Sequence, residues 1–237
     1  MQTGKPVAAH REEQAPGAFV FVKNNSVISP DRFIDWIERY AQRIADQKDY
    51  LTELDSAIGD ADHGANMNRG FQAVLAKKTD LQDKDLGALF KIVGMTLIQT
   101  VGGASGALYG TFFLQVSAAA GDRTELSPTE FGAVLDKGLA GIVLRGKAAV
   151  GDKTMVDSLQ PAIKAYNSSL ENGDVLKKAL ENAVRAAEEG LRSTIPIIAR
   201  KGRASYLGDR SAGHPDPGAT STVLLFQAAA ETLAHPD

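Results

Sequence analysis

The sequence contains no cysteine. This absence excludes disulfide bonds, thiolate metal sites and a cysteine nucleophile, and it fits a reducing compartment. The sequence also lacks any apolar run of about 18 residues, the length that a membrane-spanning helix needs. The start, MQTGKPVAAHREEQAPG, has no apolar segment of signal-peptide length. We therefore expect a soluble, cytoplasmic protein.

A strong excess of charge of one sign is absent as well. The formal net charge is -3, so there is no global basic surface that would suit nucleic acid or an anionic membrane, and any anion site must be local. With 237 residues and 43% hydrophobic composition, the chain can bury a sizeable core. We expect one folded domain that binds neither nucleic acid nor membrane.

Strand patterns are scarce, and helical periodicity dominates. The only good strand pattern is AFVFV, at 18–22. Apolar residues recur at spacings of three and four from Phe33 to Ile44, behind a Ser29-Pro30 pair suited to a helix start. A capping-box pattern, Ser127-Pro128-Thr129-Glu130, predicts a second helix through about Leu144.

Similar periodic patterns predict six further helices. They cover 66–78, 84–101, 107–120, 154–169, 174–193 and 218–234. Together these segments predict an all-α bundle of about eight helices joined by short loops. We place the only domain boundary after residue 28, with an N-terminal extension over 1–28 and a helical domain over 29–237.

Glycine-rich segments lie where these helices end or begin. They are VGGASGALYG (101–110), RGKAAVGDKT (145–154), RKGRASYLGDR (200–210) and GHPDPGATS (213–221). Glycine and proline can simply mark turns. The first and last of these segments, however, run directly into an apolar helix, whose free backbone N–H groups could bind phosphate.

The segment GKAAVGDKT nearly matches a phosphate-binding P-loop. Asp152 is inserted between the second glycine and Lys153, and the residues before the segment look helical rather than strand-like. We therefore reject a P-loop fold and keep this loop as a nucleotide contact.

An acidic segment, LDSAIGDADHGANMNRG at 54–70, contains Asp55, Asp60 and Asp62. A calcium loop is excluded because its glycine comes one residue early and Phe71 stands where the bidentate glutamate belongs. A solvated acidic turn is the plain alternative. Three carboxylates with no lysine or arginine before Arg69 instead favour a Mg²⁺ site that shares its remaining positions with phosphate oxygens.

Four long motifs carry a family resemblance. LDSAIGDADHGANMNRGF, GMTLIQTVGGASGALYGTFF, RGKAAVGDKTMVD and ARKGRASYLGDRSAGHPDPGATS resemble, in order and spacing, the L subunit of bacterial dihydroxyacetone kinases, over about Ser29 to Leu233. The resemblance implies an eight-helix antiparallel barrel with ADP or ATP bound at one end. It also implies two Mg²⁺ ions held by Asp55, Asp60 and Asp62. The extension Met1–Val27 has no counterpart in that family, and a flexible arm is the default expectation.

The resemblance further implies a set of nucleotide contacts. They are His63, Gly64, Ala65, Asn66, Ala104, Ser105, Gly146, Met155, Arg203, Asp216, Pro217 and Gly218. The chemistry would be phosphoryl transfer by positioning and charge neutralisation, with Asp55, Asp60, Asp62 and Arg203 as the catalytic group. We weigh His63 as a phosphocarrier and disfavour that role, because the adjacent aspartates and metal leave the nucleotide as the natural carrier.

The resemblance also defines what the chain lacks. In that family a separate K subunit holds the keto sugar covalently through a histidine, so we expect this chain to supply only the nucleotide half of the active site. Two donors stay open: ATP that exchanges with solvent, or ADP that stays bound and is rephosphorylated by a phosphohistidine protein of a phosphotransferase system. A homodimer also stays open.

Three other functions remain as alternatives. A kinase for a four-carbon ketose would look nearly the same, since the partner recognises the acceptor. A nucleotide-loaded regulatory module that binds a transcription factor, and a metal-stabilised helical domain without nucleotide, come from other classes. Bound ADP on the purified chain would exclude the last of these.

Overall fold

The computed structural model describes residues 27–234, which form ten α-helices and one 3-10 segment. The helices are α1 Pro30–Asp46, α2 Lys48–Ile58, α3 His63–Leu75, α4 Lys78–Leu81, α5 Leu86–Thr100, α6 Gly103–Ala120, α7 Pro128–Gly146, α8 Val156–Glu171, α9 Leu176–Thr194 and α10 Pro217–Thr232. The 3-10 segment, Arg203–Ser211, lies between α9 and α10. Within residues 27–234 the only β-pairing is an isolated bridge between Ile28 and Leu126. The predicted all-α class is confirmed.

The two helices with the clearest sequence signals form as expected. In α1, Pro30 occupies the first turn, and the periodic apolar residues from Phe33 to Ile44 are buried. In α7, the Ser127 hydroxyl accepts a hydrogen bond from the Glu130 amide, and the Glu130 carboxylate accepts one from the Ser127 amide. This reciprocal capping satisfies two backbone donors that the helix itself leaves without partners.

The helix count differs from the predicted eight. The sequence patterns missed α2 and the single turn α4, and α6 begins at Gly103 rather than at 107. The 3-10 segment was also not predicted. The barrel arrangement that the resemblance implies stays a prediction.

The N-terminal extension lies almost wholly outside the described residues, as does the predicted strand at 18–22. The described chain begins at Val27, and Ile28 is already buried. The Ile28 amide donates to the Leu126 carbonyl at 2.8 Å, and the Leu126 amide donates back at 3.1 Å. Packing of the domain therefore begins no later than Ile28.

An aromatic cluster forms part of the hydrophobic core. We define it as Phe33, Trp36, Phe90, Phe113 and Phe131, which are all buried. The ring centroids of Phe33 and Phe90 are 5.3 Å apart with an edge-on orientation, a favourable geometry for aromatic pairs. The indole N–H of Trp36 donates to the Leu225 carbonyl at 3.0 Å, so the largest of these side chains buries no unsatisfied donor.

The two ends of the molecule contain different helix termini. At one end, α5 and α7 begin and α6 ends, and the Leu86 amide donates to the Arg123 carbonyl at 2.8 Å. The first turns of α3, α6 and α10 contribute to a cavity at the other end. Among residues 27–234, no helix is both long enough and apolar enough to cross a membrane.

Candidate functional site

A cavity of about 170 Å³ collects most of the residues that the sequence singled out. The predicted site residues that line it are Asp55, Asp60, Asp62, His63, Ala104, Ser105, Met155, Arg203, Asp216, Pro217 and Gly218. They come from α2, the α2–α3 loop and the first turns of α3, α6 and α10, together with the residue before α8 and the 3-10 segment. Segments that are far apart in the sequence therefore converge at one end of the fold.

The acidic cluster, Asp55, Asp60 and Asp62, occupies one side of the cavity. Each of these residues offers a carboxylate oxygen, and the three oxygens lie within 4.8 Å of one another. The Oδ2 atom of Asp55 accepts hydrogen bonds from the amides of Asp62 at 2.8 Å and His63 at 3.1 Å. Asp55 thereby ties the end of α2 to the start of α3.

The backbone around the acidic cluster is specialised. A Cβ atom on Gly59 would lie 2.0 Å from Oδ1 of Asp55, so only glycine leaves this carboxylate in place. Ala61 has a φ of 59°, a region that costs an L-residue about 1–2 kcal/mol. Strain of this kind tends to persist where the surrounding structure holds a functional geometry.

The donor set of the acidic cluster fits Mg²⁺. Carboxylate oxygens are its preferred protein ligands, and Mg²⁺ usually takes only a few of them alongside water or phosphate. Asp55 engages the backbone through Oδ2, which leaves Oδ1 for a cation. Arg203 forms an ion pair with Oδ2 of Asp60 at 2.9 Å, and one guanidinium neutralises only one of the three carboxylates.

His63 lies beside the acidic cluster and is held through both ring nitrogens. Nδ1 is 2.9 Å from the Ser105 hydroxyl, and Nε2 is 3.0 Å from the Ser221 hydroxyl. Burial lowers the pKa of His63 to about 4, although the carboxylates of Asp55 and Asp62 act in the opposite direction. Because both ring nitrogens are engaged by hydroxyl groups and the side chain is buried, neither nitrogen is free to accept a phosphoryl group, which is an argument against a phosphocarrier role.

The start of α6 offers free backbone donors to the cavity. Its N-cap, Gly102, provides no side-chain hydrogen bond to the first turn. Gly103 has a φ of 64°, and a Cβ atom there would lie 4.0 Å from Oδ1 of Asp62. The positive end of α6 therefore lies next to the acidic cluster, an arrangement that suits a phosphate bound to metal.

The start of α10 differs from the start of α6, because a carboxylate of the protein itself already binds there. The Asp216 carboxylate accepts a hydrogen bond from the Ala219 amide at 2.7 Å, so it already occupies the helix N-terminus. Burial raises the pKa of Asp216 to about 7, against the opposing effect of the Ala219 amide. A Cβ atom on Gly218 would lie 3.4 Å from the Met155 Cβ atom. This side of the cavity is suited to the nucleoside part of a ligand rather than to phosphate.

Some predicted residues do not line the cavity. Gly64 packs against α2, since a Cβ atom there would meet the Lys48 carbonyl oxygen at 2.0 Å. The Asn66 side chain accepts a hydrogen bond from Arg69 at 2.7 Å. Ala65 is exposed, and Gly146 ends α7. Nucleotide contacts by these four residues stay predictions.

The sequence analysis missed several residues that line the cavity. They are Ile58, Gly59, Gly103, Leu108, Tyr109, Lys153, Thr154, Lys201, Gly202 and Ala204. Most adjoin predicted positions, so widening each motif by a few residues would have found them. Tyr109 and Lys153 lie inside motifs quoted above but were not assigned as contacts, because burial against distant segments decides their roles.

Comparisons with known proteins identify the relatives of this chain. The family model described as the DAK2 domain matches residues 57–231. The chain is 46% identical over 200 residues to the ADP-binding subunit DhaL of the PEP-dependent dihydroxyacetone kinase of Escherichia coli K12, covering 84% of this chain and 95% of that protein. It is 39% identical to the ADP-binding subunit DhaL of the PTS-dependent dihydroxyacetone kinase of Lactococcus lactis, covering 88% of this chain and 100% of that protein.

A solved structure gives the same result for the fold. The dihydroxyacetone kinase of C. freundii in complex with AMP-PNP and Mg²⁺ has a TM-score of 0.63 at 26% identity. The match covers 98% of this chain and 38% of that kinase chain. The family model and the two sequence relatives each cover most of the chain, so the protein belongs to the DAK2-domain family that includes the DhaL subunits of dihydroxyacetone kinases.

Proposed function

We propose that this chain is the nucleotide-binding subunit of a dihydroxyacetone kinase. It holds ADP or ATP with Mg²⁺ and passes a phosphoryl group to a keto sugar bound on a separate K subunit. One observation carries the proposal: the acidic cluster and the free N-terminus of α6 meet in a single cavity. The names of the two DhaL relatives, and the AMP-PNP and Mg²⁺ in the C. freundii complex, support it.

Each side of the cavity has a distinct task in this proposal. Mg²⁺ ions, two by the family resemblance, would be held by Asp55, Asp60 and Asp62 and would offset the polyphosphate charge. The amides that begin α6 would bind phosphate oxygens, with the Ser105 hydroxyl beside them. Met155 and Gly218 would contact the nucleoside. No side chain of this chain acts as a covalent nucleophile.

Arg203 would bind the transferred phosphoryl group. Its side chain is more than half exposed in the 3-10 segment and forms the ion pair with Asp60. An exposed ion pair of this kind contributes little to stability, roughly 0–1 kcal/mol. Arg203 can therefore exchange Asp60 for a phosphate at small cost.

The names of the relatives support one choice of acceptor and of donor. Both DhaL relatives belong to dihydroxyacetone kinases, which favours a three-carbon acceptor held by the K subunit. Their names, PEP-dependent and PTS-dependent, favour ADP that stays bound and is rephosphorylated by a phosphohistidine protein. We propose that the reaction takes place in the cytoplasm.

The test is a coupled assay with the purified chain, with and without a K subunit. We expect turnover of dihydroxyacetone only when the K subunit is present, and with the phosphohistidine donor rather than with ATP. Native mass spectrometry of the chain alone should show the mass of bound ADP. Turnover by the isolated chain would refute the division of the active site between two subunits, and absence of any nucleotide binding would refute the proposal as a whole.

A further inference from the structure

Lys153 is a buried cation for which the proposed function has no use. Its relative exposure is 1%, although lysine is almost never fully buried unless it is paired. Its φ is 63°, in the left-handed region that L-residues rarely adopt. The Lys153 ammonium donates hydrogen bonds to the carbonyl oxygens of Thr194 and of His214, the latter at 2.5 Å.

The two carbonyl partners lie on the chain that leads to α10. Thr194 is the last residue of α9, and His214 lies two residues before Asp216. The Thr194 hydroxyl also accepts a hydrogen bond from the Asp216 amide at 3.0 Å. Lys153 and Thr194 therefore fix both the approach to α10 and its N-cap residue, Asp216.

The loop that carries Lys153 is itself held firmly. The buried Asp157 carboxylate accepts hydrogen bonds from the amides of Gly151 at 2.6 Å and Thr154 at 2.7 Å. The Arg200 amide donates to the Asp152 carbonyl at 3.0 Å. The ammonium of Lys153 thus joins two ordered segments, the loop that ends at Met155 and the start of α10.

These two segments contribute Met155, Asp216 and Gly218 to the wall of the cavity. Met155 and Gly218 pack against each other in this wall, since a Cβ atom built on Gly218 would lie 3.4 Å from the Cβ atom of Met155, an ordinary van der Waals distance. Lys153 is the charged group that spans them, since its own backbone precedes Met155 by two residues and its Nζ reaches His214.

We propose that Lys153 is a positioning residue for the nucleoside half of the site. Its ammonium holds the Met155 loop and the Asp216–Gly218 turn packed against each other, so that together they form a fixed wall for the base and ribose, and it makes no phosphate contact. Two of its three protons are already taken by carbonyl oxygens. This inference rests on the proposed function, because it presupposes that a nucleotide occupies the cavity.

Charge in this region is consistent with that role. Burial lowers the pKa of Lys153, whereas the carboxylates of Asp216 and Asp157 raise it. Lys153 in turn lowers the pKa of Asp216, whereas the burial of Asp216 raises it. With the Lys153 cation nearby, Asp216 therefore loses its proton more readily.

The test compares two ligands on the full chain by titration calorimetry. Mg-ADP reports on the whole site, whereas Mg-pyrophosphate reports only on the acidic cluster and the start of α6. In Lys153→Met we expect the Kd for Mg-ADP to rise at least about tenfold, which corresponds to about 1.4 kcal/mol, while the Kd for Mg-pyrophosphate stays within about twofold. Lys153→Gln, which keeps an N–H donor, should recover part of the loss.

The matched control is Lys147→Met. Lys147 lies in the same loop, also has a positive φ, at 49°, and has an exposed side chain. It should bind both ligands like the wild type. Equal loss of both ligands in Lys153→Met, unchanged affinity for both, or failure of the Met and Gln variants to fold would each overturn the positioning role. If the wild type binds no Mg-ADP, the proposed function fails instead, so the two failures are distinguishable.

Discussion

The aromatic cluster and the cavity differ in the polar groups that they bury. Around the aromatic cluster the polar atom of the largest side chain, the Trp36 indole N–H, has a backbone partner. By contrast, the buried Asp, His and Lys side chains of residues 27–234 are Asp55, His63, Lys153, Asp157 and Asp216. All but Asp157 line the cavity, and Asp157 orders the loop beside it.

The two regions therefore have different roles: the aromatic cluster stabilises the fold, and the cavity holds the groups that would bind ligand. Burial of aromatic surface stabilises the folded state by roughly 25 cal/mol per Å², whereas buried ionisable groups cost free energy unless partners compensate them. The cavity end retains those groups, together with the strained backbone at Ala61. We infer that the cavity end is held in part by ligand, and that the aromatic end supplies the stability that makes this possible.

The largest expected effect comes from removing the centre of the aromatic cluster. Trp36→Ala should lower the free energy of unfolding by about 3–5 kcal/mol, through lost burial and the cavity that remains. Urea unfolding of the ligand-free chain measures this. Under conditions in which the variant is folded, its Kd for Mg-ADP should match that of the wild type. A parallel loss of affinity would show that the aromatic cluster and the cavity do not act independently.

The second effect concerns Asp216 and depends on pH. Folded Asp216 has a pKa of about 7, raised from the ordinary 3.8 mainly by burial. Between these two values the folded chain keeps a proton that the unfolded chain loses, so rising pH favours unfolding. At about 1.36 kcal/mol per pK unit, this linkage is worth at most about 4 kcal/mol.

The measurement compares the wild type with Asp216→Asn in urea at pH 5, 6, 7 and 8. The amide oxygen of Asn can still accept the Ala219 hydrogen bond, so the cap survives. We expect the wild type to lose stability relative to the variant as the pH rises from 5 to about 7, and then to level off. A constant difference over this range would mean that Asp216 is ionised throughout.

A third prediction addresses the acidic cluster. Asp62→Asn should raise the Kd for Mg-ADP by roughly 100-fold, about 2.7 kcal/mol, because an amide is a weaker Mg²⁺ ligand than a carboxylate. The ligand-free variant should be at least as stable as the wild type, since one of three neighbouring like charges is gone. Calorimetry and thermal melting together test this. Equal affinity of wild type and variant in EDTA and in Mg²⁺ would refute the metal assignment.

The same contrast explains what the sequence could predict. The apolar period of α1 and the capping box of α7 are local patterns, and both helices formed where they indicate. The helix α2 was missed because its buried face consists of Leu51, Asp55 and Ile58. The aspartate that functions in the site interrupts the apolar pattern that would have marked the helix.

Local patterns alone predicted only the acidic cluster of the candidate site, and its distant members came from the family resemblance. Asp55, Asp60 and Asp62 lie close together in the chain, and the structure brings their oxygens together. The burial of Lys153 could not be predicted, because its partners are carbonyl groups 41 and 61 residues away. Any residue can supply a backbone carbonyl. The residue types at Thr194 and His214 therefore give no sign that their carbonyl groups accept hydrogen bonds from Lys153.

The smallest expected effect lies at the boundary between the two regions, where two tyrosines share Ser221. The Tyr40 hydroxyl donates to the Ser221 carbonyl at 3.1 Å, and the Tyr109 hydroxyl lies 2.8 Å from the Ser221 hydroxyl. Their ring centroids are 6.3 Å apart, and both side chains are buried, but of the two only Tyr109 lines the cavity.

This pair provides a matched test that separates an effect on stability from an effect on ligand binding. Tyr40→Phe and Tyr109→Phe should each lower the free energy of unfolding by about 1 kcal/mol, the usual net value of one buried hydrogen bond. Only Tyr109→Phe should also weaken Mg-ADP, by a few-fold, because its hydroxyl helps to orient Ser221 and through it His63. If Tyr40→Phe weakens Mg-ADP binding by the same factor, core packing outside the cavity also affects the site, and the two regions form one cooperative unit.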